Sequence, residues 1–232
     1  MKTLQFSNKD TMQTIGLGTW KATGNDVKQA VKDALYAGYR HIDTAAIYGN
    51  ETEIGEALAE VFSEGKIFRE DVFITSKLWN NAHKEGQVMP ALQQSLDQLQ
   101  LAYLDLYLIH WPVAFKNDVQ HPEKPSDYYS LEEVPLIETW RQMETAKETG
   151  MARHIGVSNF SDVKLKELLP KAKIKPEMNQ VELHPLLQQD DLLAYCKSEG
   201  IFMTAYSPLG SGDRSSVMKG VDEPSLFEID TL

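Results

Sequence analysis

The sequence holds one cysteine, Cys196, in 232 residues. One thiol cannot make an internal disulfide framework, and a chain so poor in cysteine fits a reducing cytosol. Long apolar runs are also missing. No stretch reaches the ~18 residues that a membrane helix needs. The N-terminal Met-Lys-Thr-Leu-Gln-Phe-Ser-Asn-Lys has no apolar run after its first lysine. Neither a signal peptide nor a membrane partner is expected. Positive charge is scarce too: 23 Lys and Arg against 34 Asp and Glu give a net charge of −11. That balance disfavours nucleic acid and anionic surfaces as partners, and it favours solubility. Finally, no Gly-x-Gly-x-x-Gly follows the first strand, so an open doubly wound sheet lacks its usual fingerprint.

What is present is an alternation of strands and helices. Residues 2–15 read as a hairpin, with Leu4 and Phe6 alternating with polar neighbours and a turn at Asn8-Lys9-Asp10. A short strand is expected at 16–20. The helix after it takes Asn25 or Asp26 as its cap, buries Val27, Ala30, Val31, Ala34 and Leu35, and stops at Gly38. Further strands are expected at 39–43, 72–77, 104–109, 154–157, 177–182 and 201–206. Helices fall at 52–62, along the Val88, Leu92, Leu96, Leu99 face, at 134–149, after a cap at Ser161 or Asp162, and at 189–199. A long polar loop spans 113–133, a length that is usually functional or mobile. A Gly/Ser loop spans 207–221, and Pro224 opens a last amphipathic segment. Strands alternating with helices imply a parallel sheet with right-handed crossovers.

Polar residues mark the ends of these strands. Asp43, Lys77 and His110 are 34 and 33 residues apart by their numbering, the spacing of a repeating βα unit. Such a repeat, with one polar residue at each of three successive strand ends, favours a barrel, where chemistry sits at the C-terminal ends. The stretch from His41 to Glu51 adds Tyr48 just beyond Asp43. A lone tyrosine, lysine or histidine in such a place is ordinarily structural, but the four together make a functional cluster. Tyr48 is read as a proton donor, Lys77 as the charge that lowers its pKa, Asp43 as the anchor of Lys77, and His110 as the group that orients a carbonyl oxygen or shares the proton. Lowering a tyrosine from its reference of about 10 by ~3 units needs ~4 kcal/mol. One ammonium ~4 Å away at an effective dielectric near 20 supplies about that much. The cluster has no electron source of its own, so it implies a hydride-carrying cofactor.

Seven motifs in order carry a resemblance: Gly16-Leu17-Gly18-Thr19-Trp20; Gly38-Tyr39-Arg40-His41-Ile42-Asp43-Thr44-Ala45 running on to Tyr48-Gly49-Asn50-Glu51; Ser76-Lys77-Leu78-Trp79; Tyr107-Leu108-Ile109-His110-Trp111-Pro112; Ile155-Gly156-Val157-Ser158-Asn159-Phe160; Asn179-Gln180-Val181-Glu182; and Tyr206-Ser207-Pro208-Leu209-Gly210-Ser211. On these the chain resembles the aldo-keto reductases, in their aldose and aldehyde reductase branch. The resemblance implies an α/β fold, a (β/α)8 TIM barrel with an N-terminal β-hairpin, and NADPH bound without a Rossmann domain. It implies that Asp43, Tyr48, Lys77 and His110 are the catalytic four, with Tyr48 the acid in carbonyl reduction and the base in alcohol oxidation. Ser158, Asn159 and Gln180 are expected on the nicotinamide carboxamide and Tyr206 on the ring. Ser207, Leu209 and Ser211 are expected on the pyrophosphate, where backbone N–H groups and hydroxyls suit phosphate oxygens. Thr19, Trp20, Lys21, Asp43 and Asp213 complete the expected cofactor contacts. Trp20, Ile47, Tyr48, Trp79, His110 and Trp111 are expected to line a pocket for a small carbonyl substrate. A cytosolic enzyme is implied, monomeric if its barrel is completed, and no metal is expected.

The family's pattern continues beyond residue 232 with an eighth strand and helix and the stretch that grips the adenosine 2′-phosphate. The chain is therefore expected to be one barrel domain over 1–232, truncated before its eighth βα unit. NADH is not excluded as cofactor. A seven-strand sheet cannot close, so exposed edges and a weakened grip on NADPH are expected. The alternatives to an active reductase are a weak or inactive nucleotide-binding protein of the same family, or a truncated product.

Overall fold

A computed structural model describes residues 1–211 and 226–229. Two short strands, β1 (Thr3–Gln5) and β2 (Thr11–Gln13), pair antiparallel around the turn at Asn8 to Asp10. Seven strands then form one parallel sheet in chain order: β3 (Leu17–Gly18), β4 (His41–Asp43), β5 (Phe73–Leu78), β6 (Leu104–Ile109), β7 (Ala152–Ser158), β8 (Met178–Glu182) and β9 (Phe202–Tyr206). Between them lie α1 (Gly24–Tyr36), α2 (Glu51–Ser63), α3 (Val88–Leu99), α4 (Leu136–Glu148), α5 (Asp162–Leu168) and α6 (Asp190–Glu199). The sheet curls back on itself: Gln180 of β8 donates from Nε2 to Asp43 Oδ2 of β4, 2.7 Å away. It is a nearly closed parallel barrel, and no pairing joins β3 to β9 among the described residues.

Period two decides what faces where. On β5, Ile74 and Leu78 point out to the helix layer, where they join Leu35, Leu58, Leu92 and Trp140 in the larger core. Phe73, on the opposite face, meets Leu106, Leu108 and Met178 in a second core inside the barrel. The same alternation sends Asp43, Lys77, His110, Ser158 and Gln180 inward at the C-terminal end. Packing inside is tight. A Cβ on Gly156 of β7 would lie 2.5 Å from the Met178 carbonyl oxygen, so only glycine fits there. At the seam the cover is thinner: every residue of β5 and β6 is buried, and none of β9 is.

The hairpin closes the other end. Phe6 stacks on His154 with ring centroids 3.9 Å apart and meets Phe73 and Phe202 at 5.8 and 5.7 Å. His154 is fully buried, and each ring nitrogen reaches a carboxylate: Nε2 to Asp10 Oδ2 and Nδ1 to Glu177 Oε1, both at 3.1 Å. Lys147 also bonds Glu177. Burial opposes the charge on Asp10 and on Glu177. Hydrogen bonds from Asn8 and His154 on the first, and from His154 and Lys147 on the second, outweigh it, so both pKa values fall below their ordinary 3.8 and 4.5. Carboxylates with depressed pKa values stabilise the fold above those ordinary values, and the contribution is lost as pH falls through the folded-state values. Replacing His154 with Leu leaves two carboxylates facing an apolar group. It is expected to lower unfolding free energy by about 2–3 kcal/mol at neutral pH, and by less in acid. Urea melts of both chains at neutral pH and near pH 4 check this; an equal loss at both would refute the ionic part.

Two local expectations need correction. The first helix begins at Gly24, with Thr23 at its cap and no side-chain cap bond, rather than at Asn25 or Asp26. Upstream, Lys21 with φ 67° makes a sharp turn, and the helix's first residue, Gly24, itself has φ 53°, which glycine adopts without strain. Asp26 still lies in the first turn, where a negative charge suits the helix dipole. The strand expected at 16–20 shrinks to two residues. Ser161 caps α5 as expected, accepting from the Lys164 amide. The long loop has its own structure: Phe115 and Tyr128 form a β-bridge, and Asp127 accepts from the Glu123 and Lys124 amides. The Pro224 segment lies largely outside the described residues.

Candidate active site

Four strand ends converge on Lys77. Its side chain is 1% exposed, yet it carries a charge. Its ammonium donates to Asp43 Oδ1 at 2.5 Å, to the Thr44 carbonyl at 2.8 Å and to the Tyr48 hydroxyl at 3.4 Å. Burial disfavours that charge, but Asp43 and the hydrogen bonds more than compensate, so the pKa of Lys77 is raised. Asp43 is held in turn on its second oxygen by Gln180. Tyr48 ends a one-turn helix, Ala46 to Tyr48, and Gly49 with φ 66° turns the chain away from it. That turn places the phenol over Lys77. The ring of His110 meets the ring of Tyr48 edge to face, 5.9 Å between centroids.

One expectation about Tyr48 is reversed. Its pKa is raised, not lowered. Burial of the phenol is the largest cause; Lys77 works the other way, and Asp43 adds to the rise. Burial of the ring outweighs Lys77, whose closest contact goes to Asp43, so the phenol sees a charge already partly neutralised. Burial, with Lys77 and His83 adding to it, also holds the pKa of His110 down to about 2, which makes that imidazole neutral.

Beside the four lies a second group. Ser158 Oγ donates to the Gln180 carbonyl at 2.8 Å. Asn159, with φ 62°, donates from Nδ2 to the His110 carbonyl at 2.9 Å and accepts the Tyr206 hydroxyl on Oδ1 at 2.9 Å. Three strand ends, β6, β7 and β9, are thus tied by one amide. The turn after β9 has positive φ at Ser207, Gly210 and Ser211, and Ser211 Oγ donates to Ser207 Oγ at 2.7 Å. Leu209 at its apex is exposed. Asp213 lies outside the described residues. Thr19 is buried and donates its hydroxyl to the Asp43 carbonyl. Lys21 places its ammonium 4.4 Å from the centre of the exposed Trp20 ring.

Around the mouth, Trp79 packs edge to face on His110 at 5.1 Å and on Phe115 at 5.8 Å, and its Nε1 donates to the Gln120 carbonyl at 2.9 Å. Trp111 is exposed and Ile47 half-buried. Three participants were given no role by the sequence. Asn50 stands at the N-cap position of α2 without a side-chain cap bond; its amide instead donates to the Thr19 and Ala22 carbonyls and accepts from Thr44, pinning the Thr19–Ala22 turn to the site. Gln120 lies within an unpatterned loop. The Thr44 carbonyl has no side-chain signature at all.

The profile of the Aldo/keto reductase family matches residues 14–221. The chain belongs to this family. An aldo/keto reductase of Synechocystis is 52% identical over 227 residues, 98% of this chain and 69% of that protein. Aldo-keto reductase family 1 member A1 of Homo sapiens is 48% identical over 219 residues, 94% of this chain and 67% of the relative. The solved structure of an aldose reductase from Schistosoma japonicum superposes with a TM-score of 0.85 at 41% identity, covering 90% of this chain and 70% of that one. As an aldo-keto reductase the chain is an oxidoreductase with the family's barrel. Among the described residues, no helix is long and apolar enough to cross a membrane.

Proposed function

We propose that this aldo-keto reductase reduces aldehydes and ketones to alcohols with NADPH, and that Tyr48 supplies the proton. The observation that carries the reading is the buried Lys77 ammonium, which bonds Asp43 and the Tyr48 hydroxyl at once. The cofactor reading is supported by the donor set at the neighbouring strand ends. Ser158, Asn159 and Gln180 offer hydroxyl and amide groups that both donate and accept, as a carboxamide requires, and Tyr206 offers a flat ring among them. The positive-φ turn from Ser207 to Ser211 presents hydroxyls and backbone N–H groups of the kind that suit a pyrophosphate. When bound, a reduced nicotinamide supplies the hydride.

The chain's own residues handle the proton and the pocket. Burial keeps Tyr48 neutral, which is the form that can donate. After donation the phenolate faces the Lys77 ammonium, and that attraction grows as the negative charge forms, so it favours the transition state over the ground state. Asp43 keeps Lys77 charged and aimed. Neutral His110 presents an imidazole N–H to the carbonyl oxygen and narrows its approach. Trp20, Ile47, Trp79 and Trp111 form the walls. The buried, unbridged Cys196 suits the reducing cytosol where we place the enzyme.

Titration of NADPH and of NADH against tryptophan fluorescence, followed by an aldehyde panel, tests the reading. NADPH binding with turnover of an aromatic aldehyde is expected. Nucleotide binding without turnover would overturn it in favour of a non-catalytic nucleotide-binding protein.

A further inference from the structure

Beside His110 lies a group of buried polar atoms that the chemistry above leaves unused. Asn80 and His83 sit in the turn that follows β5, 2% and 1% exposed. The turn is fixed by its backbone: the Asn80 carbonyl accepts the Phe115 amide at 2.8 Å, and the His83 carbonyl accepts the Thr139 hydroxyl at 3.0 Å. The His110 amide bonds the Leu78 carbonyl at 3.1 Å, so the turn and His110 share one end of the sheet. Four side-chain atoms in this group are buried without a partner: Asn80 Oδ1, both ring nitrogens of His83, and His110 Nδ1. Unpaired polar atoms this deep are rare and costly. Burial makes both imidazoles neutral, with His83 held down to about 3, and a charge on His83 would repel one on His110. A neutral imidazole has one donor nitrogen and one acceptor.

We propose that Asn80, His83 and His110 enclose a buried water, and that His83 acts through it to fix the tautomer of His110. The water donates to His110 Nδ1 and to Asn80 Oδ1, and it accepts an N–H from His83. Three hydrogen bonds is the usual complement of a buried water. One acceptor nitrogen of His83 is left over. With Nδ1 accepting, the single proton of His110 lies on Nε2. His83 is thus a positioning residue that touches neither substrate nor cofactor. The use of that Nε2 proton rests on the reductase reading; the tautomer does not.

The ¹⁵N NMR shifts of the His110 ring nitrogens, read in the full chain, in His83→Phe and in His83→Gln, test the idea without turnover. The Nε2–H pattern is expected in the unaltered chain and in His83→Gln, which retains a donor, and is expected to be lost in His83→Phe. An unchanged pattern in His83→Phe overturns the proposal. A crystal structure that resolves ordered water gives an independent readout if that variant fails to fold: a water bonded to all three side chains supports the proposal, and a dry site overturns it. In turnover, His83→Phe is expected to lower kcat about tenfold with KM for NADPH unchanged, a loss of about 1.4 kcal/mol. An unaltered chain that shows the tautomer but no turnover would count against the reductase reading alone.

Discussion

Tyr48→Phe is expected to abolish aldehyde reduction, lowering kcat by about 10³-fold or more, while NADPH affinity stays nearly unchanged. The substitution removes one oxygen and keeps the ring, so the edge-to-face contact with His110 survives. Among the described residues the lost oxygen has a single hydrogen bond, the 3.4 Å contact with Lys77, and Lys77 keeps Asp43 and the Thr44 carbonyl. Folding stability should therefore change little, which separates a chemical defect from a structural one. Stopped-flow nucleotide oxidation with an aromatic aldehyde, beside fluorescence titration of NADPH, measures both quantities. Retained turnover would sink the assignment of the proton donor. The pH profile adds a check. Because burial raises the pKa of Tyr48 above its ordinary 10.0, the donating form persists at every pH below that value, and reduction should hold its rate as pH rises from neutral to 9.

Lys77→Met is expected to do damage of two kinds. The thioether fills much of the volume of the lysine stem but brings no charge. Asp43 is then left with Gln180 as its side-chain donor, inside a wall where an unpaired carboxylate is costly. A loss of about 3 kcal/mol in unfolding free energy follows from breaking a buried pair on one side. Reduction should fall by about 10³-fold or more, because the phenolate of Tyr48 loses the charge that faces it. The double variant Asp43→Asn with Lys77→Met should be more stable than the sum of the single losses predicts, since the orphaned charge is gone, yet no more active. Chemical denaturation of the four chains gives the coupling. Additive losses would mean that the pair is not a stability unit.

Much of this was legible before any coordinates. Residue spacing gave the strand ends because the βα unit repeats, and period two then sends Asp43, Lys77 and His110 to the same side of the sheet. Lys77 alone is ordinary at a strand end, and only its spacing from Asp43 and His110 singled it out. The pKa of Tyr48 was misjudged for a definable reason. Spacing told which charge lay near the phenol but not how completely Asp43 already occupied it, nor how far the ring was buried. Asn50 was given no role of its own because a residue at a helix start can cap or reach elsewhere, and only the fold of the Thr19–Ala22 turn decides which. His83 gave no signal, since a histidine beyond a strand end looks the same whether it meets solvent or is buried.

The clamp on His154 has a consequence in time. Asp10 and His154 are 144 residues apart in the chain. At a synthesis rate of about 5–20 residues per second, the N-terminal hairpin waits roughly 7–29 s on the ribosome before the histidine that locks it is even made. Closing so long a loop is also entropically late in folding from the denatured state. Phe6 and Met12 spend that interval without the floor they cover. The two strands that lead the sequence are therefore among the last to be seated, and during assembly they are the segment most available to another chain or to a chaperone.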